Sequence, residues 1–235
     1  MRLGLLVNPD AGLGGRLGLK GSDGKAEEAR SMGAQDRSGP RVTMMLENFS
    51  RIHRLGFDGF EWVTSQGRMG TDWFPENSEL GQIRTVHESG ASTSASDTNE
   101  AVKSLIESEI DILIYSGGDG TTRDIVTALS ENQRPSLPVI GIPSGVKMHS
   151  GCFASSPKAA AEVLSAWVSG DLLVSSTEVL DLDEERYREG EWVVRLYAEA
   201  YSPNSPRWMQ GSKELIQTDS EEEILEGLAD HINEM

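Results

Sequence analysis

The sequence predicts an α/β fold for the N-terminal part of the chain, followed by the start of a β-rich second domain. Before Gly170, short apolar runs alternate with stretches in which apolar residues recur at helical spacing, as expected for strands joined by helices. After Gly170, strand-like runs at 172–182 and 192–201 flank a polar turn, which is typical of a hairpin. We therefore expect an open parallel-sheet domain over residues 1–170, and a β-rich domain over residues 171–235 that this chain leaves incomplete.

The first part of the chain predicts a strand, a glycine-rich loop and a helix. Residues 3–7 form an apolar run that ends in an Asn-Pro dipeptide, which predicts a buried strand that breaks into a turn. The glycines between residues 12 and 24 are too dense for a stable helix and indicate a long loop. Apolar residues at helical spacing over 46–55 then predict a helix that ends at Gly56.

The middle of the chain continues the alternation of strands and helices. Residues 60–63 predict a second strand, whereas residues 65–95 give no clear pattern. Asp97 with Glu100 resembles a capping box and predicts a helix over about 98–108. The remaining expected elements are strands at 110–115 and 138–142, helices at 121–129 and 157–168, and a last helix that a Ser220–Glu223 capping box begins.

Charge and composition exclude several classes of partner. The 38 acidic residues exceed the 21 basic ones, and the resulting net charge of −17 repels a nucleic-acid backbone. No apolar run approaches the roughly 18 residues that span a bilayer, so we expect no membrane association. The single cysteine, Cys152, cannot form an intramolecular disulfide and fits a reducing compartment. We therefore expect a cytoplasmic protein.

A glycine-rich segment, Gly117-Gly118-Asp119-Gly120-Thr121, follows the strand predicted at 110–115. A strand, a glycine loop and a helix start in this order present free backbone N–H groups and the positive end of a helix dipole to a phosphate. A carboxylate beside a phosphate is repulsive unless it holds Mg²⁺ or accepts a proton from an attacking hydroxyl group, and the sequence does not separate these two roles for Asp119. The alternative is an ordinary Asp-Gly turn between a strand and a helix.

Phosphate chemistry also needs cations, and three lysines are candidates. Lys147 is the first choice because it follows the strand predicted at 138–142, and the carboxyl ends of parallel strands converge on the ligand crevice. Lys20 and Lys213 are as easily explained as surface residues. His149 and Cys152 lack the further ligands of a zinc site, which favours structural packing for both.

The glycine segment resembles the signature of the superfamily that joins NAD kinases, diacylglycerol and sphingosine kinases and bacterial 6-phosphofructokinases. Residues 6–12 resemble the first strand and loop of this superfamily, and residues 142–148 lie where its next glycine-containing loop belongs. Together they are most similar to the ATP-NAD kinase-like branch, which includes proteins associated with acetoin catabolism. The resemblance covers roughly residues 1–155. Beyond these, only residues 209–214 resemble this branch.

This resemblance implies an α/β domain and a β-rich domain with a nucleotide cleft between them. It implies transfer of a phosphoryl group from ATP or polyphosphate to the 2′-hydroxyl group of NAD, giving NADP. We expect such an enzyme to require Mg²⁺ and to form a homo-oligomer. By the same resemblance Asp119 is the base or metal-linked carboxylate. The implied cofactor-binding residues are Asn8, Gly12, Gly117, Gly118, Gly120, Thr121 and, from its position, Lys147.

Two alternatives stay open at this stage. One is a lipid or small-metabolite kinase of the same superfamily, and the other is a nucleotide-binding accessory or sensor protein without turnover. The chain also lacks the later Gly-Ser-Thr segment that helps to shape the NAD site in common NAD kinases, which puts dinucleotide binding by this chain alone in question.

Overall fold

The computed structural model of the chain describes residues 1–13, 26–53, 55–76, 79–90, 93–145, 148–182, 186 and 193–210. The strands are β1 (Arg2–Val7), β2 (Glu61–Ser65), β3 (Gln82–His87), β4 (Ile112–Gly117), β5 (Val139–Pro143), β6 (Val174–Leu182) and β7 (Val194–Pro203). The α-helices are α1 (Ala26–Ser31), α2 (Ser38–Ile52), α3 (Ala95–Glu107), α4 (Asp119–Glu131) and α5 (Pro157–Val168).

The first five strands form one parallel sheet in the order β3-β2-β1-β4-β5, and β6 and β7 form an antiparallel hairpin. The predicted fold class is therefore confirmed. The chain moves outward from β1 to β3 and then returns to place β4 on the other side of β1. This reversal puts a topological switch point at the carboxyl ends of β1 and β4, where open α/β sheets bind ligands.

The sheet is covered by helices on both faces. Residues of α2 and α5 pack with Leu3 and Leu5 of β1 in one core cluster, whereas residues of α3 and α4 pack with Leu6 in the other. Every residue of β4 and β5 is buried, because helices cover both faces of the sheet and residues 152–154 bond to the outer edge of β5 at Gly141. This burial explains why short unbroken apolar runs predicted these strands correctly.

Three expectations about local elements need correction. α2 begins at Ser38, well before residue 46, and ends at Ile52 rather than at Gly56. The capping box of α3 is formed by Ser94 and Asp97, not by Asp97 and Glu100, so the helix begins earlier than predicted. The stretch 65–95 contains β3, which gave no signal because it is an edge strand with mostly exposed residues.

The helix at 157–168 and the hairpin are confirmed. The Ser156 hydroxyl group accepts a hydrogen bond from the Ala159 amide, and Gly170 follows α5 with φ of +81°. The hairpin contacts the α/β part through Ser202, whose hydroxyl group donates to the Val139 carbonyl over 2.7 Å. The domain boundary near residue 170 stays a prediction, and the expected turn at 188–190 and helix from Ser220 lie outside the described residues. Among the described residues, no helix has both the length and the apolarity needed to cross a membrane.

Candidate functional site

The loop after β1 meets the first turn of α4 at the switch point. The Asn8 amide donates to the Ser116 carbonyl over 2.9 Å, and its side-chain NH₂ group donates to Thr121 Oγ1 over 2.8 Å. The side-chain oxygen of Asn8 accepts from the Asp10 amide over 3.0 Å and so shapes the turn that follows β1. The predicted site residues Asn8 and Thr121 are therefore in direct contact.

Gly12 brings the same loop onto the segment after β5. It adopts φ of +79°, and a Cβ atom at this position would lie 2.1 Å from the Ser144 carbonyl oxygen. Only glycine combines this conformation with this close approach. Ser144 Oγ in turn lies 2.9 Å from Ser116 Oγ, so the ends of β1, β4 and β5 are joined at one edge of the sheet.

The N-terminus of α4 is open to a ligand. Gly118 is the N-cap residue, and no side chain caps the helix. The amides of the first turn, from Asp119 to Thr121, have no partner within the helix and donate to no acceptor among the described residues. A Cβ atom at Gly120 would meet nothing within 4 Å. An anion can therefore approach these amides closely, at the positive end of the helix dipole.

Asp119 lies at the start of α4 and is only 6% exposed. Its Oδ2 atom accepts from the His149 amide over 2.7 Å, and Oδ1 accepts from the Ser150 amide over 3.0 Å and from Ser150 Oγ over 2.6 Å. Burial raises the pKa of Asp119, and the bonds from Ser150 and His149 oppose this rise. The carboxylate therefore fixes the segment after β5 to α4, and Oδ2 keeps acceptor capacity for one further donor.

Ser150 extends this link to the hairpin. Its fully buried hydroxyl group lies 3.0 Å from the Leu180 carbonyl oxygen and accepts from the Leu180 amide over 3.0 Å. The side chain thus connects Asp119 on α4 with β6. No local pattern indicated a role for Ser150, because its partners lie about thirty positions away on either side.

Beneath the first turn of α4, Tyr115 OH lies 2.6 Å from Thr122 Oγ1 and 3.2 Å from Cys152 Sγ. Burial raises the pKa of Cys152 to about 12 and that of Tyr115 well above its ordinary value. The thiol is therefore neutral at physiological pH and acts as a packing group under the site.

Ion pairs hold the loop after β1 from the outside. Arg30 pairs with Asp10, and Arg68 pairs with Asp36 over 2.5 Å, while Arg30 and Asp36 are 3.8 Å apart.

A separate cavity of about 620 Å³ opens at the carboxyl ends of β2 and β3. Its lining is mostly polar and consists of Gln66, Thr71, Thr85, Val86, His87 and Glu88.

The structure brings together nearly all the residues that the sequence singled out. Asn8, Gly12, Gly117, Gly118, Asp119, Gly120 and Thr121 lie around the switch point. Lys147, Lys20 and Lys213 lie outside the described residues. The sequence missed Ser144 and Ser150, which shape the loop contacts, and two arginines at the start of α2.

The model of one protein family, described as the ATP-NAD kinase N-terminal domain, matches residues 3–172 of the chain. The chain belongs to the ATP-NAD kinase family. This member of the family is accordingly a phosphotransferase, and the family uses ATP and NAD as substrates. The match extends from β1 through α5 and ends before β6. No curated protein gives a significant match to the chain.

Proposed function

We propose that this chain transfers a phosphoryl group from ATP or polyphosphate to the 2′-hydroxyl group of the adenosine ribose of NAD, giving NADP. The observation that carries the proposal is the open first turn of α4 at the switch point of the sheet, with Asp119 inside it. Family membership supports a phosphotransferase, and the site supplies the two groups that this reaction needs: an anion cradle and a carboxylate.

In this proposal the donor phosphates lie against the amides of Asp119, Gly120 and Thr121. Gly120 leaves the approach open, and the Asn8 side chain holds Thr121 by a hydrogen bond. Mg²⁺ would enter with the donor, because Mg²⁺ usually keeps phosphate and water ligands. Lys147 is the proposed further cation, from its place after β5.

Asp119 is proposed to accept the proton of the attacking hydroxyl group. Within the described part of the chain, its Oδ2 atom accepts one hydrogen bond, from the His149 amide, and so has room for a second donor. The bonds from Ser150 and His149 hold the carboxylate in one orientation. Because phosphoryl transfer depends mainly on positioning and charge, a fixed acceptor beside the cradle fits the reaction.

A second candidate function is nucleotide binding without turnover. The observation that favours it is that the oxygens of Asp119 already accept three hydrogen bonds from the segment after β5. A carboxylate bonded in this way serves as a structural anchor even if no proton is ever transferred. The two functions differ in what Asp119 does after nucleotides bind.

The test is formation of NADP from NAD and Mg²⁺ with either ATP or polyphosphate as donor. Asp119→Asn keeps the side chain's size and is expected to lower kcat by about 100-fold or more, as for loss of a general base. Asp124→Asn, one turn along α4, is the matched control and should stay within about 3-fold of the wild type. Nucleotide binding by the wild type without any NADP would reject the kinase and support the sensor.

A further inference from the structure

Two arginines, Arg37 and Arg41, lie at the start of α2 and form what we call the arginine pair. The first turn of α2 is fixed at the switch point through Ser38, which is fully buried. Ser38 Oγ donates to the Ala11 carbonyl over 3.2 Å, and the Ser38 carbonyl accepts from Ser116 Oγ over 3.1 Å. The start of α2 is thus hydrogen-bonded to both the loop after β1 and the end of β4.

The arginine pair borders the same loop. The Cδ atom of Arg37 lies 3.5 Å from the position that a Cβ atom of Gly12 would occupy, so its stem packs against the loop. Arg41 follows one turn later, and both residues are half-buried. Burial, together with the charge of Arg37, lowers the pKa of Arg41 from its ordinary value.

Folding alone does not explain why two like charges lie here. Neither arginine forms an ion pair with a described residue, whereas the nearby Arg30 and Arg68 pair with Asp10 and Asp36. Positively charged side chains are disfavoured at the N-terminus of a helix. The first turn of α2 nevertheless has no acidic residue that would offset the charge of the arginine pair. The chain has 38 acidic residues, yet none of those described neutralises the pair. Such uncompensated charge is typical of a surface kept for a ligand at a cost in stability.

We propose that Arg37 and Arg41 bind a phosphate group of a substrate, on the α2 side of the switch point and opposite the cradle of α4. Guanidinium groups suit phosphate because their planar N–H donors match two phosphate oxygens at once. The reaction proposed above brings two phosphate-bearing substrates to this edge, and the pair supplies a second phosphate position. The assignment to a nucleotide rests on the proposed function, whereas the phosphate site itself does not.

The first test is calorimetric binding of inorganic tripolyphosphate, ATP and NAD to the full chain and to Arg37→Gln/Arg41→Gln. The matched control is Arg51→Gln/Lys103→Gln, which removes the same charge from exposed positions elsewhere. We expect the double variant of the pair to weaken tripolyphosphate binding by about 10-fold or more, as for lost charge-assisted hydrogen bonds, and the control by less than about 2-fold. Of ATP and NAD, the one that weakens in parallel identifies the natural source of the phosphate.

The second measurement is thermal unfolding with and without tripolyphosphate. Removing the like charges should leave the ligand-free Tm unchanged or higher, and should reduce the rise in Tm that tripolyphosphate gives the wild type, because the cradle of α4 remains. The inference is overturned if the wild type does not bind tripolyphosphate, if both double variants lose affinity equally, or if the pair variant binds normally. Arginine-dependent binding without any NADP formation would support this site while rejecting the proposed kinase function.

Discussion

At the residue scale, the carboxylate of Asp119 depends on donors from a different part of the chain. Ser150 contributes the shortest of these hydrogen bonds and also contacts Leu180 of the hairpin. A hydroxyl group has a single hydrogen, so when Asp119 is ionised that hydrogen points to the carboxylate. In the proposed reaction Ser150 is therefore a positioning residue, which acts only through Asp119.

Ser150→Ala is predicted to shift the pH dependence of activity. The Ser150 hydrogen bond stabilises the ionised form, so its loss should raise the pKa of Asp119 further. If the reaction needs the carboxylate, kcat/KM should then fall at a higher pH than in the wild type on the acidic side. Ser169→Ala, at the end of α5, is the control and should leave the pH profile in place. An unchanged profile in Ser150→Ala would contradict this role.

Gly12→Ala is predicted to destabilise the fold more than Gly59→Ala does. Its φ of +79° costs alanine roughly 1–2 kcal/mol, and the approach to the Ser144 carbonyl adds about 1–3 kcal/mol of overpacking. Gly59 has φ of +86° but no atom within 4 Å of its Cβ position, so Gly59→Ala isolates the first cost. The free energies of unfolding in urea should differ between the two variants, and equal losses would show that the Ser144 contact is relaxed easily.

At the element scale, the start of α2 shows why a helix boundary can depend on a distant segment. A Cβ atom at Gly39 would lie 2.1 Å from the Trp73 ring, so the glycine lets this ring pack against the first turn. Thr43 also donates to the Trp73 carbonyl over 2.8 Å. The Ser-Gly-Pro sequence gives no helical signal by itself, and the contact with Trp73 stabilises the turn.

The glycines of α2 and α4 are therefore predicted to respond to alanine in opposite ways. Gly39→Ala should lower the free energy of unfolding by about 1–3 kcal/mol, because overpacking against Trp73 exceeds the gain in helix propensity. Gly120→Ala has open space and should keep or raise stability, yet it should weaken ATP binding because the methyl group blocks the phosphate approach. Urea unfolding and calorimetric titration of both variants check this. A stable Gly120→Ala with unchanged ATP affinity would mean that the phosphates bind elsewhere.

At the scale of the whole molecule, the hairpin is attached to the α/β part by specific contacts. Arg123 of α4 pairs with Asp181 of β6 over 2.9 Å and lies over the Tyr197 ring of β7. These contacts and the Ser150 bridge place the hairpin beside the N-terminus of α4. A shift of β6 relative to α4 would therefore alter the hydrogen bonds of Asp119 through Ser150.

The exposed apolar side chains of the hairpin lead us to predict a homo-oligomer. Leu196 is 60% exposed, and Val174 and Tyr201, at the other end of the hairpin, are 37% and 38% exposed. Burying such side chains against a second copy would remove apolar surface from water. Leu196→Lys should shift the species seen by sedimentation towards the monomer, whereas Leu55→Lys, also on an exposed leucine, should not. A monomeric wild type would reject the prediction.

Some features of the protein follow from local sequence alone. The strands β1, β4 and β5 read as unbroken apolar runs because both of their faces are buried, and α5 carries its serine cap and proline within its own sequence. The glycine segment from Gly117 to Thr121 is likewise local, since close approach of a backbone to a phosphate needs neighbouring residues without Cβ atoms.

Only the tertiary structure decided which distant parts of the chain contact these segments. The strand order β3-β2-β1-β4-β5 puts Asn8 against Thr121, and it brings Ser150 to Asp119 and the arginine pair to the loop that contains Gly12. Each of these contacts joins residues that are far apart in the chain, and a serine or an arginine has no sequence pattern that reveals its distant partner. The strength of a hydrogen bond or a charge interaction depends on distance in space and on burial, and both are fixed only when the sheet assembles.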